Sequence, residues 1–181
     1  VARSGDEPHE LETRQEPRLV RALEMVAPGT QLREGLDDIV HAGTGGLIVI
    51  GDQDELGFLC SGGIKLDVDY SPAMLYQVAK MDGGITLNPN ATKIGMANVQ
   101  FIPDPTILSL ETGTRHRTAE RVSKQTEAVV VAISQRRAIV SLFVDGVKYI
   151  LEEIPVVLAK SNQALATLTK YRTRLDELSA A

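Results

Sequence analysis

Two short stretches hold the residue types that could do chemistry. The first reads Gly113-Thr114-Arg115-His116-Arg117-Thr118-Ala119-Glu120-Arg121. A glycine lets the backbone bend, two arginines flank a histidine, and a helix pattern follows at once. Cations and free backbone N–H groups would converge where that helix begins, which suits a polyphosphate. Two guanidiniums can grip phosphate oxygens in bidentate fashion, and Thr114, Thr118 and His116 add further donors. The same residues would equally make a solvated basic helix start. The second stretch is Lys80-Met81-Asp82-Gly83-Gly84. Asp82 stands between a helix end and a strand start, and glycines there permit unusual torsions or a close approach. Its carboxylate could hold a divalent cation or accept a proton; a turn aspartate beside a helix-ending glycine has the same sequence. Ser134, Arg136 and Arg137 make a third polar cluster, on a turn between strands, that reads either as an anion contact or as solvated surface.

Several other chemistries are excluded. There is no G-x-x-x-x-G-K-[ST] loop and no G-x-G-x-x-G opening a helix after a strand; Thr44-Gly45-Gly46 precedes a strand instead. His9 and His41 lack partners at metal-ligand spacing, and no nucleophilic serine elbow is present. Cys60 is the only cysteine, so the chain has no internal disulfide and no zinc site of several thiolates. Its setting after Gly57-Phe58-Leu59 suits a packed strand thiol. The net charge of -5 argues against gripping duplex DNA through the bulk surface, although local basic clusters can still hold a small anion. No apolar run approaches the roughly 20 residues that span a bilayer, and no signal peptide opens the chain. The expectation is a cytoplasmic protein with no membrane partner.

The elements that must position these residues follow from periodicity. With 181 residues and 43% hydrophobic content the chain suits one domain, and with 4% aromatics and no tryptophan its core should be aliphatic. Residues 1–16 are polar and contain Pro8, and read as a flexible tail. A helix should begin at Pro17 and end at Pro28-Gly29, and a second should start from an N-cap at Thr30 and stop at Gly43. Leu47-Ile48-Val49-Ile50-Gly51 is an uninterrupted apolar run suited to a strand covered on both faces. A polar turn over residues 52–55 should lead to a partner strand over 56–60, then to a glycine loop over 61–67. Ser71-Pro72 starts a helix that stops at Asp82. Strands are expected over 85–87 and 94–102, then a long loop over 103–113, a helix over 118–125 and a strand over 128–133. Residues 139–144 and 147–151 make a hairpin around Asp145-Gly146. Residues 155–178 read as one long amphipathic helix with Leu158, Leu165, Leu168, Leu175 and Leu178 near one stripe. That stripe suits packing on the sheet or a coiled-coil seam.

Asp82-Gly83 followed some thirty residues later by the 113–121 stretch resembles the diadenylate cyclase domain, in its bacterial DNA-integrity-scanning (DisA) type. The likeness runs from about Leu19 to Leu178 and includes Gly43-Thr44-Gly45, Ser61-Gly62-Gly63, Ala97-Asn98-Val99, Pro103-Asp104-Pro105 and Ala132-Ile133-Ser134. It implies an α/β domain, a central mixed β-sheet surrounded by helices, over residues 17–154, with residues 155–181 as a C-terminal helix leading toward a DNA-binding region beyond this chain. It implies a reaction in which two ATP molecules condense into cyclic di-AMP and two pyrophosphates across a face-to-face dimer, with octamers built from such dimers. By the resemblance, Asp82 would hold Mg2+ or Mn2+ and activate the attacking 3′-hydroxyl, and Gly83 would lie close to the nucleotide. Thr114, Arg115, His116, Arg117 and Thr118 would surround the triphosphate, and Ser134 and Arg137 would reach the outer phosphates. Phe101 would lie against adenine. DNA would be bound only through the missing region. The family pattern has Asp-Gly-Ala where this chain has Asp82-Gly83-Gly84. That departure leaves open a catalytically weakened nucleotide-binding or oligomerisation module, or a plain scaffold.

Overall fold

The computed structural model describes the backbone of residues 8–180 and the side chains from residue 17 onward. The chain divides into two units, residues 1–150 and 151–181.

The first unit is built on one mixed sheet. Its strands are β1 (Gly46–Ile50), β2 (Cys60–Ser61), β3 (Ile64–Asp69), β4 (Gly84–Leu87), β5 (Lys93–Phe101), β6 (Val129–Ser134), β7 (Ile139–Val144) and β8 (Val147–Leu151). The order is β2-β5-β4-β1-β6-β7-β8, with β3 also paired to β5. β1 and β4 run parallel, with Ile48 opposite Ile85, and the connection between them carries two helices and the strands β2 and β3. All five residues of β1 are buried, as its unbroken apolar run requires of a strand covered on both faces. Leu47 and Val49 join one core cluster with Val99, Phe101, Ala119, Val122 and Phe143. The alternate residues Ile48 and Ile50 are just as buried, and by the pleat they face the other side.

The helices are α1 (Pro8–Met25), α2 (Gln31–His41), α3 (Gln53–Gly57), α4 (Pro72–Val78) and α5 (Thr114–Gln125). Thr30 and Ser71 cap α2 and α4 as expected, each accepting from a backbone N–H three residues on. Leu32, Leu36 and Ile39 bury one face of α2, each worth about 1.5–3 kcal/mol of apolar burial. α5 packs against β6, β7 and β1.

Four expectations need correction. α1 begins at Pro8 and not at Pro17: proline fits a first helical position, and Glu, Leu, Arg and Gln favour the helix that follows. The rest of the expected tail, residues 1–7, lies outside the described residues. The strand expected over 56–60 begins as the end of the helix α3 and reaches a strand only at Cys60, because Asp52 Oδ1 accepts from the backbone N–H groups of Asp54 and Glu55 and so starts a helical turn. The loop expected over 61–67 contains the edge strand β3, whose apolar-polar alternation pairs it to β5. α5 starts at Thr114, four residues before the expected start.

The second unit is the helix α6 (Ile154–Ser179), which has no buried residue. Its leucines are exposed, Leu165 by 61% and Leu175 by 63%.

Candidate functional site

A cavity of about 870 Å³ opens where the start of α5, the turn before β4 and the β6–β7 turn converge. On one wall stand Thr114, Arg115, His116 and Thr118 of the first turns of α5. Gly113 is the N-cap and offers no side-chain acceptor, so the leading N–H groups of the helix lack a partner there, a ready setting for an anion. Gly62, Gly63, Gly83 and Gly84 also line it, with Asn98 and Gln100. Ser134, Gln135 and Arg136 of the β6–β7 turn line it too, while Leu47, Val99 and Phe101 give the cavity an apolar portion.

The glycine wall has two physical origins. Gly83 has φ +90°, and a Cβ there would stand 2.9 Å from both the Asn98 carbonyl carbon and the Val99 oxygen. Gly63 has φ +87°, and its Cβ would meet Val99 Cγ2 at 2.7 Å and Ala97 O at 2.9 Å. Only glycine satisfies both torsion and space at these positions. Asn98 itself takes φ +53° where the β4–β5 register shifts. Asparagine is among the few residues that tolerate that region, and its presence in a strand marks a strained, purposeful position. Asp82 is exposed, next to the Gly83 lining but outside the cavity itself. Among the described residues its carboxylate makes no hydrogen bond or ion pair.

Arg115 reaches across to β6, where Nη1 donates to the Ile133 carbonyl at 3.4 Å. His116 is half-buried. Its ring meets Phe143 edge-on, 6.2 Å between centroids at 71°, and Nε2 lies 3.4 Å from the Ser141 hydroxyl. Burial pulls the imidazole pKa below its ordinary value; Lys148, Arg115 and Arg137 act in the same sense and Glu111 opposes them. The ring is therefore neutral at pH 7, a hydrogen-bonding group and not a third cation.

The long loop before α5 is held in place by a row of side chains on that helix. Gln125 accepts from the Asp104 backbone N–H, Arg121 donates to the Ile107 carbonyl and Lys124 to the Leu108 carbonyl. Glu120 accepts from the Ser109 hydroxyl and the Leu110 N–H. Arg117 donates to the carbonyls of Glu111 and Thr112, both at 3.3 Å. Residues 117, 120, 121, 124 and 125 share one helix face by their spacing, so the loop lies along α5 as a strap.

Of the residues singled out in the sequence, Gly83, Phe101, Thr114, Arg115, His116, Thr118 and Ser134 line the cavity. Asp82 does not line it, although its neighbour Gly83 does. Arg117 and Arg137 do not line it: Arg117 is turned to the strap, and the backbone N–H of Arg137 donates to Ser134 Oγ within the turn. Arg136 and Gln135 line it in their place. Asn98, Gly62 and Gly63 carry no assigned role in the sequence reading. The signal for the glycines is the Ser61-Gly62-Gly63 pair itself; nothing in one sequence announces the torsion of Asn98.

Residues 33–148 match the family model described as DisA bacterial checkpoint controller nucleotide-binding, and residues 151–181 match the DisA linker region model. The chain is 58% identical over 160 residues to the DNA integrity scanning protein DisA of Carboxydothermus hydrogenoformans, covering 88% of this chain and 46% of that one. It is 49% identical to the protein of the same name from Clostridium acetobutylicum over 170 residues, 94% of this chain and 48% of that one. The chain thus spans less than half the length of these curated relatives. Among solved structures, a double cysteine mutant of DacA from Staphylococcus aureus aligns with TM-score 0.56 and 22% identity over 80% of this chain and 93% of that one. A hypothetical membrane spanning protein from Bacillus cereus aligns with TM-score 0.61 and 18% identity, over 80% and 76%. Both support the fold alone. Among the described residues of the present chain, no helix is long and apolar enough to cross a membrane.

Proposed function

The chain belongs to the DisA bacterial checkpoint controller nucleotide-binding family, and from that premise we propose that it is a diadenylate cyclase domain: it binds ATP in the cavity, and two copies condense two ATP molecules into cyclic di-AMP and two pyrophosphates. One observation carries the reading. Thr114, Arg115 and Thr118 share one cavity with Gly83, whose chain neighbour Asp82 is exposed and free of other contacts among the described residues. A phosphate held by Arg115, Thr114, Thr118 and the start of α5 would have its α-phosphorus in reach of a hydroxyl brought by a second copy. Asp82, next in the chain to the cavity-lining Gly83, would then serve that junction. Half of the reactants on each copy makes self-association part of the reaction.

Such a displacement at phosphorus asks for alignment and charge neutralisation more than for a strong acid or base. Arg115, anchored on the Ile133 carbonyl, would offer its remaining donors to the phosphate, and Arg136 would cover the outer phosphates from the β6–β7 turn. Neutral His116 would donate or accept a single hydrogen bond. Asp82 would orient the 3′-hydroxyl and take up its proton as the new phosphodiester forms and pyrophosphate departs. No group of three His, Cys, Asp or Glu side chains among the described residues could hold a metal ion. Asp82 with substrate phosphate oxygens nevertheless matches the habit of Mg2+, which binds through one or two carboxylates plus phosphates. When bound there, Mg2+ or Mn2+ would neutralise phosphate charge.

Incubation with ATP and Mg2+ or Mn2+, with products separated by chromatography, tests the reading. Cyclic di-AMP is expected, with specific activity falling on dilution of the protein as copies separate. Intact ATP and no cyclic di-AMP at any protein concentration would overturn it.

A further inference from the structure

We propose that Gly84 and Phe101 form a matched small–large pair in which Gly84 is a positioning residue: its missing Cβ seats the Phe101 ring as the apolar wall against which a purine base lies. The proposal rests on the nucleotide-binding reading above. Gly84 opens β4, is buried and pairs with Val99 of β5. Its φ lies outside the left-handed region, so the backbone there would accept any residue and the need for glycine is one of space. A Cβ at this position would overlap the Phe101 ring, 2.8 Å from Cδ2 and closer still to Cε2, with Leu47 O next at 3.3 Å. The ring thus rests directly over the glycine backbone.

The overlap has one way to resolve. Phe101 is 7% exposed and belongs to the core cluster that holds Leu47, Leu59, Val99 and Phe143. Close-packed side chains behind the ring resist compression. The open side is the cavity, which both Phe101 and Gly84 line. An alanine at 84 would therefore push the ring into the volume a base would occupy. Glycine at this position makes room for an aromatic wall. A smaller side chain at 101 would tolerate, and be better filled by, alanine at 84.

A four-protein cycle tests this: the unaltered chain, Gly84→Ala, Phe101→Leu and the double variant, with binding of 3′-deoxy-ATP (which lacks the attacking hydroxyl) by calorimetry and urea midpoints without nucleotide. Gly84→Ala is expected to weaken 3′-deoxy-ATP binding at least tenfold. In the Phe101→Leu background the same substitution is expected to cost less than twofold. Equal effects of Gly84→Ala in both backgrounds, or unaltered binding by Gly84→Ala alone, would overturn the pair. Should Gly84→Ala fail to fold, folding of the double variant supports the pair and failure of both overturns it. If the unaltered chain binds no 3′-deoxy-ATP, the functional reading falls. The urea midpoints then decide the pair by themselves, non-additive effects supporting it and additive ones overturning it.

Discussion

Glu120 accepts a 2.6 Å hydrogen bond from the Ser109 hydroxyl, joining a buried carboxylate on the second turn of α5 to the middle of the loop that leads into that helix. The same carboxylate accepts from Lys124 Nζ at 2.6 Å and from the Leu110 N–H at 3.2 Å. Because the strap ends at Gly113, the helix cap beside the cavity, its anchoring fixes where Thr114 and Arg115 stand. Glu120→Ala should strand three donors and destabilise the domain by about 1–3 kcal/mol, with a larger KM for ATP, whereas Glu120→Gln keeps one acceptor oxygen and should cost less. Urea unfolding and steady-state kinetics on both variants check this; stability of Glu120→Ala equal to that of the unaltered chain would show the anchor to be irrelevant.

Acid should undo the same anchor. Burial alone would raise the Glu120 pKa, but the hydrogen bonds from Lys124 and Ser109 outweigh it and hold the carboxyl below its ordinary value. A depressed carboxyl binds fewer protons folded than unfolded, so its stabilising contribution is full above the ordinary carboxyl pKa of about 4.3 and is lost as pH falls through the folded value. Below about pH 4.3 the midpoint of the unaltered chain should drop faster than that of Glu120→Gln. Parallel pH profiles would contradict it.

What is legible in the sequence is what local chemistry determines. The Ser71-Pro72 and Thr30 caps, the apolar run of β1 and the Asp145-Gly146 hairpin each act through neighbours a few residues away, and each stands where expected. The glycine-arginine stretch and Asp82-Gly83 are also readable, and Gly113 to His116, Thr118 and Gly83 line one cavity, without Asp82 and Arg117. Long-range geometry is not. Whether Arg117 or Arg136 faces the cavity depends on where the strap and the β6–β7 turn place them, and side-chain type cannot say. Leu56 looks like strand because its apolar neighbours do, while the Asp52 cap that makes it helical acts through two backbone N–H groups. In the sequence Gly84 is only a departure from the family pattern, because the ring above it comes from another strand.

His116 gives a second pH signature, of opposite chemical origin. Its depressed imidazole pKa means that the folded chain binds fewer protons than the unfolded one once pH falls below about 6.5. The stabilisation is complete above that pH and is lost as pH falls through the folded value. His116→Gln keeps a hydrogen-bonding side chain toward Ser141 and removes the titration. Urea midpoints from about pH 8 to about pH 5, the range that brackets an ordinary imidazole, should therefore decline less for the variant than for the unaltered chain. An unchanged slope would refute the neutral imidazole.

Asp82→Asn separates binding from turnover. The carboxylate is exposed, outside the cavity lining and without a hydrogen bond or ion pair among the described residues, so its removal disturbs no folded contact. The amide preserves shape but removes the charge that would meet a cation and the base that would take a proton. ATP affinity should stay within about threefold, while cyclic di-AMP formation should fall by at least about 100-fold, the low end of general base contributions. Retained turnover would show that Asp82 is not catalytic.

Two neighbouring glycines distinguish torsion from space. Gly43 has φ +67° with nothing within 4 Å of where a Cβ would stand. Gly45 has no left-handed torsion, but a Cβ there would collide with Arg115 Nη1 and stand 2.9 Å from Cζ and 3.0 Å from Ile133 O. Gly43→Ala should therefore lower stability by about 1 kcal/mol through backbone strain and leave nucleotide affinity unchanged. Gly45→Ala should displace the guanidinium from its anchor on Ile133 and weaken ATP binding by about tenfold or more, the scale of one charge-assisted hydrogen bond. Calorimetric titration of both variants with 3′-deoxy-ATP, beside their urea midpoints, checks the contrast. If Gly45→Ala binds as the unaltered chain does, Arg115 does not hold the phosphates from the position it takes over β6.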